Sequence, residues 1–327
     1  MKIIFFGTDE NAKLVLRDLH LSSHNVVLAV TVSDKIRSRG TKKTPAPVKE
    51  YCLESKINCI DQMPEVSDLK NLGPDVIIVA SYGRIIPNEI ISLPEYGSLN
   101  LHPSFLPKYR GPSPVHTAIK NGDHITGVSI IVLSEELDAG PIVEQESHAI
   151  EEEDNLKILT ENLFAKGSKI IQKILDNPSK ISKAKEQDHS FSTMTKKILK
   201  EDRHIDWNQP GRKIINHIRS LDDNNAAYSF LDGKRIKIYK ASFSDVGVSP
   251  NYAFMGNHHP DKPRGFLGID ARANLVVTVD DGMVIVQELQ LEGRNRIKGS
   301  EFARGYFPHD PKKSPDHSWR SLEKKLS

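Results

Sequence analysis

Cysteine is nearly missing from this chain: its 327 residues hold two, Cys52 and Cys59. Two cysteines cannot staple a secreted scaffold, and no CxxC or Cys/His cluster offers a zinc site. A reducing compartment and no metal are therefore expected. Long apolar runs are lacking as well. Val76–Ala80 and Val128–Leu133 are typical, far short of the ~20 apolar residues that cross a bilayer, so no membrane partner is expected. Neither charge dominates: 45 Lys and Arg stand against 43 Asp and Glu, a net charge of +2. That balance argues against a disordered polyelectrolyte and against a uniformly basic nucleic-acid coat. Gly7 follows the first apolar run alone, with no GxGxxG around it, so a dinucleotide cofactor is not indicated. The chain opens Met1-Lys2-Ile3-Ile4-Phe5-Phe6, already strand-like, and no signal or transit peptide is expected ahead of the fold.

What is present divides along the chain. Residues 1–190 carry 22 Lys and Arg against 26 Asp and Glu, whereas 191–327 carry 23 against 17, balances of −4 and +6. Opposite signs in two halves point to different partners. The first half alternates strand and helix: Ile3–Phe6, then an amphipathic stretch through Leu14, Leu16 and Leu19, then Val26–Val32, a helical Pro47–Leu53 and a strand Val76–Ala80. Leu99–His102 and Val128–Leu133 add strands, and Leu156–Leu175 reads as a helix. Short continuous apolar runs between helices suit a parallel sheet covered on both faces. The fold class expected is α/β, a Rossmann-like domain over residues 1–177. Residues 178–195 are polar and read as a linker. From 196 to 307 one helix, Gly211–Leu221, precedes β patterning at Arg235–Tyr239, Leu275–Val279 and Met283–Leu289 with glycine turns, the pattern of a small OB-like β-barrel. Residues 308–327 read as a flexible basic tail.

The chemistry concentrates in residues 97–140. In Ser98-Leu99-Asn100-Leu101-His102-Pro103, strand alternation sends Asn100 and His102 to one side, and Pro103 ends the strand. Ligands of open α/β sheets bind at such carboxyl ends. Leu137-Asp138-Ala139-Gly140 brings a carboxylate on a turn after the next strand. An amide, an imidazole and a carboxylate converging there suit acyl or formyl transfer: the amide donates to a developing oxyanion, the imidazole donates or moves a proton, and the carboxylate orients the ring. The basic stretch 35–49 holds six cations, Lys35, Arg37, Arg39, Lys42, Lys43 and Lys49, too broken by glycine and proline for a helix. Flexible cations of this kind suit phosphate contacts. His258-His259 has no carboxylate or Cys partner nearby and reads as a solvated loop.

The strings SLNLHPSFLPKYRG (98–111), NGDHITGVSI (121–130) and LDAGPI (137–142) resemble the folate-dependent formyltransferases. The opening IIFFGTDENAKLVLRDL, RSRGTKKTPAPVKEYC (37–52), IDWNQPGRKIINHIRSLD (205–222), GKRIKIYKAS (233–242) and GRNRIKGSEFARGYF (293–307) are similar, in the same order, to the methionyl-tRNA branch of that family. The resemblance implies transfer of the formyl group of 10-formyltetrahydrofolate to the amine of methionyl-initiator tRNA. It implies that Asn100 and His102 polarise the formyl oxygen and that Asp138 supports His102 and helps remove the amine proton. Ser104, Phe105, Leu106 and Pro107 would line the tetrahydrofolate site, with Tyr82, Gly83, Arg84, Ile85 and Ile86 giving pterin contacts. Arg37, Arg39, Lys42 and Lys43 would meet RNA, and a monomer is the family's expectation. The immediate start of the first strand favours a bacterial cytoplasm, a processed organellar form being left open. An amino-sugar-nucleotide N-formyltransferase with the same donor is the alternative; a formyltetrahydrofolate deformylase and a noncatalytic RNA-binding protein rank lower. One departure stands out: where the tRNA branch commonly carries Asn-Pro-Trp-Pro, this chain has Leu221-Asp222-Asp223-Asn224-Asn225-Ala226-Ala227-Tyr228.

Overall fold

The structure is a computed structural model that describes residues 1–33, 35–36, 43–231, 233–245, 267–270 and 274–306. It divides into two compact units. The first comprises residues 1–115, 124–152 and 157–196; the second comprises 116–123, 153–156 and the described residues from 197 on.

The strands of the first unit are β1 (Lys2–Gly7), β2 (Asn25–Val30), β3 (Lys35–Ile36), β4 (Lys43–Thr44), β5 (Cys59–Ile60), β6 (Val76–Ala80), β7 (Ser98–His102), β8 (Ile125–Val132) and β9 (Ile142–Ala149). The accompanying helices are α1 (Glu10–His20), α2 (Pro47–Ser55), α3 (Val66–Leu72), α4 (Asn88–Ile91), α5 (Pro114–Asn121), most of which falls in the second unit, and α6 (Leu156–Asp176). Seven of the strands make one sheet in the order β5-β2-β1-β6-β7-β8-β9, while β3 and β4 pair separately. The centre is parallel, as a run of buried Ile, Val and Phe requires: Ile3 to Phe6 and Val76 to Ala80 are all buried. Asp9 fixes the turn into α1 by accepting the Ala12 N–H at 3.0 Å, and α1 buries Ala12, Val15, Leu16 and Leu19. The sheet is not parallel throughout. β7 pairs antiparallel with β8, and β8 with β9. β9 escapes sequence reading because its central residues, Glu144, Gln145, Glu146 and Ser147, are polar. An edge strand facing water needs no apolar run.

Residues 178–195, read above as a linker, group with the first unit. Ile142 and Lys185 exchange backbone hydrogen bonds, as do Arg110 and the Thr193–Thr195 backbone. Polarity marked the segment as a connector, but its polar groups are spent on the loops it crosses.

The second unit holds α7 (Gly211–Arg219), β10 (Ala227–Leu231), β11 (Lys234–Ser244), β12 (Leu267–Ile269), β13 (Leu275–Val279), β14 (Gly282–Leu291), β15 (Ile297–Lys298) and α8 (Gly299–Tyr306). The strands form one antiparallel, OB-like sheet in the order β10-β11-β14-β13-β12, with β15 on β14. The register of β11 shifts around Lys240, a bulge that bends a long strand. Its core joins Trp207, Ile214, Ile218, Ile236, Leu275, Val284 and Phe302. At the departure noted above, polar bonds hold the turn: Asp222 accepts the Asn225 N–H at 2.7 Å, and Arg203 donates to Asn225 Oδ1 at 3.1 Å. Residues 308–327 and the pair His258-His259 lie outside the described residues.

Candidate active site

β7 carries Asn100 and His102 to its carboxyl end on one side, because residues two apart on a strand share a face. The loop after β8 brings Asp138 back to them. Its carboxylate is the hub. Oδ1 faces the Asn100 amide, with Nδ2 at 3.4 Å. Oδ2 lies 3.5 Å from His102 Nδ1 and accepts the Gly111 N–H at 2.8 Å. His102 and Asp138 are both buried, in surroundings where a polar contact is stronger than in water. The other imidazole nitrogen, Nε2, lies 2.9 Å from the Tyr109 carbonyl. A carbonyl only accepts, so Nε2–H is the donor in that contact.

The backbone is bent to make these contacts. Asp138 and Tyr109 sit at φ of 52° and 66°, the left-handed region that few non-glycine residues adopt. Such conformations cost on the order of 1–3 kcal/mol each and collect at functional sites. Gly111, at φ 100°, has no room for a Cβ, which would lie 2.9 Å from the Thr195 carbonyl oxygen. Gly140 is held closer still: a Cβ there would lie 1.9 Å from the Val132 carbonyl oxygen.

The loop that follows His102 is pinned from below. Ser104 is fully buried and donates to the Lys108 carbonyl at 2.7 Å. Leu106 is buried; its N–H donates to Ser129 Oγ at 3.1 Å, and its carbonyl accepts from Gln145 Nε2 at 2.8 Å. Pro107 is half-buried, while Phe105 stays 45% exposed. The Phe105 ring rests on β8 at Gly127, where a Cβ would come within 2.8 Å of Cδ2. The stretch after β6 splits. Tyr82 turns inward and packs edge-on against Phe6 at 5.2 Å, and burial raises its phenol above the usual range. Ile86 packs on the same core. Gly83, Arg84 and Ile85 face outward, Ile85 being 94% exposed. Arg37, Arg39 and Lys42 lie outside the described residues, and Lys43 begins the short strand β4.

Several groups that build the site have little sequence signal. The Tyr109 carbonyl and the Gly111 N–H are backbone groups, which no side-chain pattern announces. Ser129 does leave a trace, as a hydroxyl inside the apolar run VSIIV. Gln187 leaves none: it sits in the polar stretch after α6, yet is 5% exposed and bonded to the Asp138 turn. Among the described residues no group of three His, Cys, Asp or Glu could hold a metal ion, and no helix is long and apolar enough to cross a membrane.

An amide, an imidazole and a carboxylate meet at a strand end of the α/β sheet, and an OB-like antiparallel sheet follows later in the chain. Residues 1–175 match the formyl transferase family and residues 197–307 match the formyl transferase C-terminal domain; the chain belongs to this family. A methionyl-tRNA formyltransferase of Caldanaerobacter subterraneus subsp. tengcongensis is 35% identical over 94% of this chain and 97% of its own length. One of Fusobacterium nucleatum is 34% identical over 94% and 97%. Among solved structures, an N-formyltransferase of Helicobacter canadensis in complex with folinic acid and dTDP-3-aminofucose superposes with a TM-score of 0.61 at 18% identity, covering 88% of this chain and 98% of that one. At that identity it shares the fold.

Proposed function

We propose that the chain transfers the formyl group of 10-formyltetrahydrofolate to the free amine of methionyl-initiator tRNA. The observation that carries this reading is the convergence of Asn100, His102 and Asp138 at one strand end, in a chain collinear along nearly its whole length with methionyl-tRNA formyltransferases. The folate co-substrate supplies the formyl carbon, and the protein supplies polarisation and proton movement. The Asn100 amide and the His102 imidazole donate to the formyl oxygen as negative charge builds on it. His102 gives up one of its present oxygen partners to do so. Asp138 accepts a proton from the amine as its nitrogen joins the carbon; that proton replaces the formyl group on the folate nitrogen as the old bond breaks.

Ser104, Phe105, Leu106 and Pro107 hold the folate in this reading, with Tyr82 to Ile86 beside the pterin. The exposed Phe105 ring, seated on the β8 backbone next to a Leu106 main chain held by Ser129 and Gln145, is the feature that fits a flat heterocycle. Arg37, Arg39, Lys42 and Lys43 contact phosphates of the tRNA. The +6 balance of residues 191–327 and the tRNA-formylating relatives favour this acceptor over an amino-sugar nucleotide, which offers only two phosphates. The enzyme acts as a monomer in a bacterial cytoplasm. The test offers 10-formyltetrahydrofolate with methionyl-initiator tRNA and, in parallel, UDP-4-amino-4-deoxyarabinose. Formyl transfer to the tRNA alone is expected; transfer only to the sugar would overturn the assignment.

A further inference from the structure

We infer that Gln187 is a positioning residue for formyl transfer: its side-chain amide clamps the turn that carries Asp138 to the loop that carries the backbone partner of His102. Nε2 donates to the carbonyl oxygens of Asp138 and Gly140, each at 2.8 Å. Oε1 accepts from Arg110 Nε at 3.1 Å and from Arg110 Nη2 at 2.7 Å. This orientation is unique. Guanidinium groups only donate and carbonyls only accept, so a flipped amide would oppose every one of its four partners. Both side chains are sealed from water, Gln187 at 5% and Arg110 at 2% exposure. Arg110 completes its contacts with His189 at 3.2 Å and Glu136 at 3.5 Å.

The same segment fixes the opposite side of the site. The Tyr109 N–H donates to Thr193 Oγ1 at 2.8 Å, the Arg110 N–H to the Thr193 carbonyl at 2.8 Å, and the Thr195 N–H back to the Arg110 carbonyl at 2.7 Å. The Tyr109 carbonyl meets His102, and the Gly111 N–H meets Asp138. Residues 187–195 therefore tie together the two loops whose separation sets the 3.5 Å between His102 Nδ1 and Asp138 Oδ2. That contact sits at the edge of hydrogen-bond reach, so a small displacement of the turn decides whether it forms.

The geometry makes Gln187→Glu the discriminating change. A glutamate strengthens the pairing with Arg110 while placing an oxygen against the carbonyls of Asp138 and Gly140. If Gln187 served only to satisfy Arg110, this variant would keep activity. If it positions the turn, kcat falls about a hundredfold, the scale of a misplaced catalytic group, with KM for folate and tRNA held within about threefold. Gln187→Met, which keeps the volume and removes both sets of bonds, falls to the same degree. Both variants are checked by thermal melting, so that unfolding is not read as lost catalysis. A second readout is independent of activity: hydrogen exchange of the Gly111 amide speeds about tenfold or more when the turn loosens. The inference rests on the formyl-transfer reading of this site. A wild-type protein inactive with tRNA and sugar acceptors alike would overturn that reading and leave the Gly111 exchange to judge the clamp. Near-normal kcat with unchanged Gly111 exchange in folded Gln187→Glu and Gln187→Met would overturn the clamp itself.

Discussion

Replacing Asp138 by asparagine separates chemistry from architecture, because the substitution keeps the shape and removes the charge. The carboxylate accepts from Gly111 at 2.8 Å and faces Asn100 and His102 at 3.4 and 3.5 Å. Asparagine has one oxygen for these three neighbours. If that oxygen keeps the Gly111 N–H, its NH2 faces the Asn100 NH2, donor against donor, and Asn100 must turn its own donor away. If the amide flips, the buried Gly111 N–H loses its acceptor, at a cost of about 1–3 kcal/mol. Either way the stability loss is of order 1–2 kcal/mol, a fall in Tm of a few degrees. The catalytic loss is larger. A positioned proton acceptor contributes roughly a factor of 10²–10⁴, or about 3–5 kcal/mol of barrier. The assay is formyl transfer from 10-formyltetrahydrofolate to methionyl-initiator tRNA, run well below the Tm of the variant so that the folded fraction stays near one. A fall in kcat/KM of a hundredfold or more with a Tm change of a few degrees is expected. Turnover within tenfold of wild type, or activity that only tracks the folded fraction, would refute the role of Asp138.

Three further outcomes follow from the same physical reading. Gly140→Ala forces a Cβ to within 1.9 Å of the Val132 carbonyl, so the Asp138 turn must shift; chemical denaturation should show a loss of at least about 1–3 kcal/mol together with reduced kcat, and a neutral variant would contradict the packing. His217 is held neutral by burial, its pKa lowered from 6.5 to about 4. The unfolded chain therefore binds the extra proton first, and stability drops by about 3 kcal/mol as pH falls from 6.5 to 4; urea melts should show that drop shrinking in His217→Gln, and an unchanged drop would assign it elsewhere. Neutralising Arg37, Arg39, Lys42 and Lys43 should weaken tRNA binding and reduce the slope of log affinity against log salt by about 3, at roughly 0.7–0.9 per phosphate contact; an unaltered slope removes these four cations from the RNA surface.

The strands β1 and β6 could be read from composition because each is buried on both faces, which demands continuous Ile, Val and Phe whatever lies around them. The pairing of Asn100 with His102 was legible for a similar reason: two-residue alternation on a strand is local geometry. β9 was not legible, since an edge strand with Glu144, Gln145 and Glu146 carries no apolar signature. The segment after α6 misled in the opposite sense. Its polarity is the mark of a connector, but it arises here because Gln187, Thr193 and Thr195 bond to the loops around His102 and Asp138.

Sequence alone thus determined the alternating α/β unit, the antiparallel second unit, the polar trio and the family, because each rests on residue type at short or collinear spacing. Tertiary structure decided the antiparallel close of the sheet, the left-handed bends at Tyr109 and Asp138, and the backbone groups that hold the trio. It also decided the place of Gln187, 49 residues beyond the aspartate whose carbonyl it binds. Contacts made by main-chain N–H and C=O groups across such distances depend on how loops are folded over one another, and no pattern of side chains along the chain encodes them.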